Sequence, residues 1–431
     1  MDTVVYVSTP AGYEAWAKYG LDGILKLDSI FLPGCEAEPA GCRRLLKGVP
    51  GIKQGSRLFY IKLKQFLVDN GFLQLPADPC VYYRTNLKGL CLFAIWVDDV
   101  LAAVPDDKEW ADILVCIRTQ FTVLDKGDAT VFLGMDIEQN DDYSMIKLSQ
   151  RNSIEDLIQR ADMQTCNPVT TPCVAGVIWT KEDCPEAGQP RNLDMPNYRG
   201  LTALAIFISV WTRPDIVFVT NKLCKFMANP GTTHKVALKR LCRYLAGTKS
   251  EGLIYRCSEL QSGNSVIGLH GYFDSSHMDC VDTSRSTIAF MFFFYDAVIS
   301  WHSKLHGFVT TCTNHSEYAA LFAGAKEAFS LVAWLRPLEA FLNISLEPVP
   351  IFNDNHGASA LALDPVGRFK NKHVRMAQHY TQELVTAGVI IPKLIPSSEN
   401  VADMLTKSLG PTEFPRHACK VTKKIATVQG L

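Results

Sequence analysis

Four acidic residues in the last third of the chain have the types and the placement to do chemistry. Asp274 closes the apolar run Leu269-His-Gly-Tyr-Phe, and Glu317 opens a long helical stretch. Asp354 closes the run Pro350-Ile-Phe-Asn, and Asp403 opens the segment Asn400–Lys407. The hydrophobic patterning puts each acid at the end of a buried element, so folding gathers like charges where water is scarce. Such a group takes protons back or recruits cations. Carboxylate oxygens suit Mg²⁺, and two divalent ions about 3.5–4 Å apart are what phosphodiester hydrolysis uses. Taken singly, each acid has a plainer reading: an Asp after a strand serves a turn, and a Glu in a first helical turn serves the dipole.

A second pair, Asp98 and Asp99, stands between Phe93-Ala-Ile-Trp-Val97 and Val100-Leu-Ala-Ala-Val104. A plain hairpin tip favours Asn-Gly or Asp-Gly. Adjacent carboxylates on a rigid turn fit metal-assisted nucleotidyl transfer, and a solvated tip is the competing reading. Basic residues cluster at Lys239, Arg240 and Arg243 on one helix face, and at Lys370, Lys372 and Arg375 before another helix. Either cluster suits phosphate contacts, whose attraction is blind to sequence, and either also reads as a solvated face.

These residues need a scaffold, and the 431-residue chain is long enough for several domains. It is 47% hydrophobic and 20% charged, which excludes a disordered tail. Lys+Arg number 43 against 44 Asp+Glu, a net charge of -1, so a nucleic acid must be held by local patches. The 14 cysteines contain no C-x-x-C pair, which argues against a zinc module and for free thiols in a reducing compartment. No signal peptide or apolar run of about 18–20 residues is seen, so the expected class is a soluble intracellular protein without a membrane partner.

Phe59, Leu63, Phe66 and Leu67 have helical spacing ended by Gly71, and strands are expected at Cys80–Arg84 and over Leu90–Val104. Residues 106–180 alternate helix and strand, 170–190 has linker composition, and 195–255 is helical. From Val266 to Leu409 the order is three strands, a long helix over Ser316–Phe341, then strand, helix, strand, helix. That order predicts an α/β sheet covered on both faces. Phe292, Phe293 and Phe294 read as core of a central strand and not as a base-stacking platform.

The C-terminal segments Gly271-Tyr-Phe-Asp274, Thr283-Ser-Arg-Ser-Thr287, Ile299-Ser-Trp-His-Ser-Lys304, Glu317-Tyr-Ala-Ala-Leu321 and Asn400-Val-Ala-Asp403-Met-Leu-Thr-Lys407 occur in order. They resemble the RNase H domain of copia-type LTR retrotransposon Pol polyproteins. The resemblance implies that Asp274, Glu317, Asp354 and Asp403 hold two Mg²⁺ ions, with Mn²⁺ as a substitute, and cut the RNA of RNA–DNA hybrids. His315 replaces a non-ligand acid of that pattern. Upstream, Trp96-Val-Asp98-Asp99 is similar to the reverse-transcriptase Y-V-D-D box, with Asp98 and Asp99 as metal ligands. Leu45–Tyr60 is similar to the segment whose Gln contacts the nucleotide, here Gln54. Phe132–Ile137, Pro168–Pro172, Thr212–Ile216 and Ala237–Thr248 match the palm end, thumb and connection.

The resemblance implies a multidomain α/β and α+β chain. It comprises a partial reverse-transcriptase palm (1–105), palm end, thumb and linker (106–190), and a helical connection (191–262). An RNase H-like domain with a mixed sheet flanked by helices (263–410) and a tail (411–431) follow. Implied partners are an RNA–DNA hybrid, RNA template, DNA, dNTP and a Pol partner chain, in the cytoplasm (within a virus-like particle) or the nucleus. The first polymerase aspartate of the family precedes the segment matching Val5–Pro10, so the expectation is an impaired polymerase beside an intact nuclease. The alternative is a catalytically dead or domesticated nucleic-acid-binding remnant.

Overall fold

The computed structural model describes residues 6–8, 42–44, 55–186, 197–256, 268–342, 344–346, 348–364 and 372–422. The chain divides into two compact units, Met1–Val123 and Leu124–Leu431. In the first, β1 (Tyr6–Ser8) pairs antiparallel with β2 (Cys42–Arg44). Helix α1 (Gly55–Asp69) buries Leu63, Phe66 and Leu67 along one stripe. It closes at Gly71, φ +80°, where the Gly71 N–H donates to Val68 O and the Phe72 N–H to Leu67 O. This paired closure needs a residue tolerant of left-handed backbone. Strands β3 (Leu73–Leu75), β4 (Asp78–Asn86), β5 (Gly89–Trp96) and β6 (Asp99–Ala103) form an antiparallel sheet in chain order. Helix α2 (Asp107–Arg118) starts at Asp106, whose carboxylate accepts the Glu109 N–H at 2.7 Å. Ile113 and Ile117 of α2 share a core with Tyr82, Cys91, Phe93 and Ile95 of the sheet.

The second unit opens with β7 (Val131–Phe132), β8 (Met135–Gln139) and β9 (Met145–Ser149), extended by β10 (Leu253–Arg256) into a four-stranded antiparallel sheet. Helices α3 (Arg151–Arg160), α4 (Tyr198–Trp211), α5 (Val217–Cys224) and α6 (Thr232–Thr248) form a helical layer. Residues 170–186, expected as linker from composition, bury Cys173 and Trp179 in that layer's core. Between α4 and α5 lies a fully buried ion pair. Arg213 Nε and Nη2 donate to the two Asp215 oxygens at 2.9 and 2.7 Å, and the Tyr244 hydroxyl donates to Asp215 at 2.6 Å.

The second sheet is built from β11 (Leu269–Cys280), β12 (Arg285–Phe294), β13 (Ala297–Leu305), β14 (Val349–Asn353) and β15 (Ile390–Leu394). Its order is β13-β12-β11-β14-β15, with the first three antiparallel and β14 and β15 running parallel to β11. This is the RNase H-like arrangement that the resemblance implied. Between strands lie α7 (Thr313–Leu335), α8 (Glu339–Leu342), α9 (His356–Leu363) and α10 (Lys372–Thr386). A 3-10 turn (Val401–Leu405) and α11 (Glu413–Val421) follow. One sheet face, with Phe273, Phe290, Phe292 and Ile351, packs on Leu321, Ala325 and Ala328 of α7. The other, with Ala289, Met291, Phe293 and Val298, shares a core with α4–α6 and with Val401, Met404 and Leu405 of the turn. Phe292 and Phe293 are thus core, on opposite faces.

Three local details differ from expectation. The helix expected over Ser316–Phe341 runs from Thr313 to Leu335 and gives way to a 3-10 turn (Arg336–Leu338) at Pro337, which lacks a backbone donor. Strand β11 does not end at Asp274 but runs on to Cys280, because Ser275 and Ser276 still pair with Ile288 and Thr287 after the apolar pattern stops. Asp403 sits in a 3-10 turn, not an α-helix; the Thr406 N–H returns to Asp403 O, three residues back, and tightens the segment. Among the described residues no helix is long and apolar enough to cross a membrane.

Candidate active site

Four elements deliver the four acids. Asp274 projects from mid-β11, Glu317 from the second turn of α7, Asp354 from the residue after β14, and Asp403 from the 3-10 turn. Parallel pairing of β14 with β11 brings Asp354 to the same sheet end as Asp274, as strand ends in such sheets do. Asp274 and Glu317 are buried, with 1% and 5% of their surface exposed, and Asp354 and Asp403 are half-buried.

The charges act on one another. Burial pushes the Asp274 carboxyl up to about 7; Asp403 and Asp354 add to the rise, while Lys407 and the Thr406 hydroxyl oppose it. Burial, then the charges of Asp274 and Asp354, pushes Glu317 up to about 8, against the Ser275 hydroxyl and Lys407. Burial also raises Asp403, and Asp354 adds to it, while Lys407 pulls the other way. Asp274, Glu317 and Asp403 each feel the charge of Asp354, and Glu317 also that of Asp274, so protonation is favoured by the lack of water and by crowding of like charge.

Polar neighbours fix the acids in place. The Thr406 hydroxyl donates to Asp274, and the Ser397 hydroxyl donates to Asp354. Asn400 Nδ2 donates to Phe273 O at 3.1 Å and reaches Asp354 Oδ1 at 3.5 Å, while its Oδ1 caps the 3-10 turn at Ala402 N–H. Lys407 Nζ lies 2.9 Å from Asp403 and 3.3 Å from Asp274. Burial works against this ammonium, yet Asp274 and Asp403 outweigh it and hold its pKa above the ordinary lysine range. Sequence reasoning gave no role to Asn400, Thr406 or Lys407, although all three stand in the run that carries Asp403.

A hard divalent cation fits this donor set, which is all carboxylate oxygen. Glu317 Oε2 is buried without a hydrogen-bond partner, and such an atom is costly unless something cationic meets it. Among the described residues, no three Asp, Glu, His or Cys side chains stand close enough as placed to grip one ion together. The cation among these acids is the Lys407 ammonium.

The remaining sequence-singled residues are dispersed. Asp98 and Asp99 are exposed at the β5–β6 turn, where Val97 takes φ 56° and Trp96 pairs with Asp99. Arg240 donates to the Thr171 hydroxyl at 2.8 Å and Arg243 to Asn167 O at 2.6 Å, so both hold the 167–171 segment to α6. Lys239 is exposed and lines an open cavity of about 280 Å³ with Asp162, Thr165 and Cys166. Arg375 is exposed on α10, and Lys372 begins that helix. Gln54 and Lys370 lie outside the described residues.

Residues 29–175 match the family model described as reverse transcriptase (RNA-dependent DNA polymerase). The chain is 29% identical over 373 residues to the retrovirus-related Pol polyprotein from transposon TNT 1-94 of Nicotiana tabacum, covering 86% of this chain and 27% of that protein. It is 31% identical over 379 residues to the corresponding polyprotein from transposon RE1 of Arabidopsis thaliana, covering 88% and 25%. The chain thus spans about a quarter of the length of these relatives. RNase H1 from Halobacterium salinarum NRC-1 superposes on 31% of this chain and 88% of its own, at 15% identity and a TM-score of 0.23; the fold rests on the strand order instead. With a reverse-transcriptase match over residues 29–175, Pol relatives along most of its length and an RNase H-like strand order at its end, the chain resembles copia-type retrotransposon Pol polyproteins.

Proposed function

We propose that the second unit hydrolyses the RNA strand of RNA–DNA hybrids with divalent-cation assistance, Mg²⁺ first and Mn²⁺ as a substitute. The observation that carries this reading is the convergence of acids distant in sequence: Lys407 bridges Asp274 and Asp403, Asn400 links Asp354 to β11 at Phe273, and Glu317 lies near enough to feel the charge of Asp274. Those four carboxylates would hold the metal. Bound there, magnesium supplies the positive charge that steadies the attacking and leaving oxygens of a phosphodiester. The protein's own contribution is placement. Thr406 orients Asp274 and favours its ionised form, and Asn400 and Ser397 set Asp354. Lys407 offsets the repulsion between Asp274 and Asp403. The products are an RNA 3′-hydroxyl and a 5′-phosphate.

Polymerisation by the first unit is proposed as impaired. Asp98 and Asp99 are both exposed, and water weakens the electrostatic stabilisation that nucleotidyl transfer draws from preorganised charge. RNA template, DNA and dNTP are its proposed ligands. The second reading is a remnant that binds hybrid without turnover. It is favoured by the Lys407 ion pairs and by the lack, among the described residues, of three donors within reach of one ion.

A labelled RNA–DNA hybrid incubated with the purified chain and Mg²⁺ separates the two. Mg²⁺-dependent cleavage that disappears in Asp274→Asn supports the nuclease. Retention of hybrid on a gel without cleavage supports the remnant and overturns the nuclease. In parallel, primer extension is expected to be orders of magnitude slower than hybrid cleavage, and brisk Mg²⁺-dependent synthesis would refute the impairment.

A further inference from the structure

Asp274, Ala289 and Ser303 stand opposite one another on three adjacent strands: Asp274 pairs with Ala289, and Ala289 with Ser303. Directly opposed residues present their side chains to the same face, so these three form a single cross-strand row. The 3-10 turn that carries Asp403 lies on this face, its Val401, Met404 and Leu405 in one core with Ala289. It is clamped at two points of the row. The Thr406 hydroxyl donates to Asp274, and the Ser303 hydroxyl donates to Leu405 O at 2.6 Å. Between the clamps stands Ala289, 1% exposed, whose single methyl lets the turn lie close to the sheet.

Ser303 is itself held through its main chain. Asn221 of α5 donates from Nδ2 to Ser303 O at 2.6 Å. A hydroxyl buried in an otherwise apolar core is costly unless it is hydrogen-bonded, and this one spends its bond on the segment that carries an active-site acid. The chain of contacts runs from α5 through Ser303 to Leu405, two residues beyond Asp403 and adjacent to Thr406.

We propose that Ser303, held by Asn221, is a positioning residue that sets the height of the 3-10 turn over the sheet and thereby the placing of Asp403 against Asp274. This rests on the nuclease reading above. Loss of the Ser303 hydroxyl frees the Leu405 end of the turn while leaving every acid in the sequence. The consequence is a mis-set carboxylate, which weakens metal capture and slows the chemical step without touching hybrid affinity.

The test uses the full chain as wild type, Ser303→Ala, Ser303→Thr and Asn221→Ala. Hybrid cleavage and the Mg²⁺-induced rise in thermal midpoint are both followed across Mg²⁺ concentration. For Ser303→Ala, kcat is expected to fall about tenfold with KM unchanged, and half-saturating Mg²⁺ to rise about tenfold in both readouts, as for an active-site group displaced by a fraction of an ångström. Ser303→Thr, which keeps the hydroxyl, restores both; Asn221→Ala shifts both the same way by a smaller factor. A folded Ser303→Ala with wild-type kcat and Mg²⁺ response overturns the proposal, as does a Ser303→Thr no better than Ser303→Ala. Should Ser303→Ala fail to fold, Asn221→Ala decides, and its indifference to Mg²⁺ overturns the proposal. A wild type showing neither cleavage nor a Mg²⁺-induced shift brings down the nuclease reading, and this proposal with it.

Discussion

Asp274 and Glu317 are carboxylates that folding pushes towards neutrality, to about 7 and about 8, against an unfolded value near 4. Between about pH 4 and about pH 8 the metal-free folded chain therefore binds more protons than the unfolded chain, and its stability falls as pH rises through that window. In EDTA the thermal midpoint of the second unit should drop between about pH 5 and about pH 8. Asp274→Asn, uncharged throughout, should flatten much of that drop, and an identical slope in both proteins would count against the coupled pocket. Thr406 gives a second handle, since its hydroxyl favours ionised Asp274. Thr406→Val should move the acid limb of the cleavage profile to higher pH and cost about tenfold in rate near neutrality, measured as kcat against pH. The acids were legible in the sequence because each stands beside a buried run. Thr406 was not given a role, because a hydrogen bond across 132 residues of separation leaves no local pattern; the Asp403–Lys407 pair stands at i, i+4 and was legible but was passed over.

Elements whose signal is periodic were read nearly to their ends in α1 and the β5–β6 hairpin, whereas the helix expected over Ser316–Phe341 begins at Thr313 and stops at Leu335, just before Pro337. Misreadings fell where tertiary pairing overrides local pattern, as in β11 beyond Asp274 and in the 3-10 turn at Asp403. The helical layer hid its main device altogether. Thr212–Ile216 was visible only as a motif match, whereas in the fold Arg213 is a fully buried cation forked onto Asp215. Arg213→Met leaves the Asp215 charge buried without its partner, which should cost about 3–5 kcal/mol in urea unfolding. In β11, a side chain on Gly271 would put its Cβ 2.4 Å from the Phe292 ring. Gly271→Ala should accordingly cost about 1–3 kcal/mol by overpacking, read as a lowered unfolding midpoint.

At the scale of the whole molecule, each compact unit has its own core: Leu67, Phe93 and Ile113 in the first, and the two clusters flanking the β11–β15 sheet in the second. Calorimetry should resolve two unfolding transitions, with Arg213→Met lowering only one, and a single transition moved as a whole would contradict separate cores. A net charge of -1 also means that hybrid affinity must come from local cations, so binding should weaken steeply as salt is raised. The second face of the β11–β15 sheet is roofed by α4–α6, whose residues fall outside the stretch that the motifs alone would assign to the RNase H-like domain. That core also takes in Ile154 and Leu157 of α3 and Cys173 and Trp179, so recombination that shuffled this module would have to carry the stretch from Arg151 onward as one heritable block. A crossover placed just before Leu269 would deliver a sheet with one oily side bare, and its progeny would be selected against before their chemistry was ever tried.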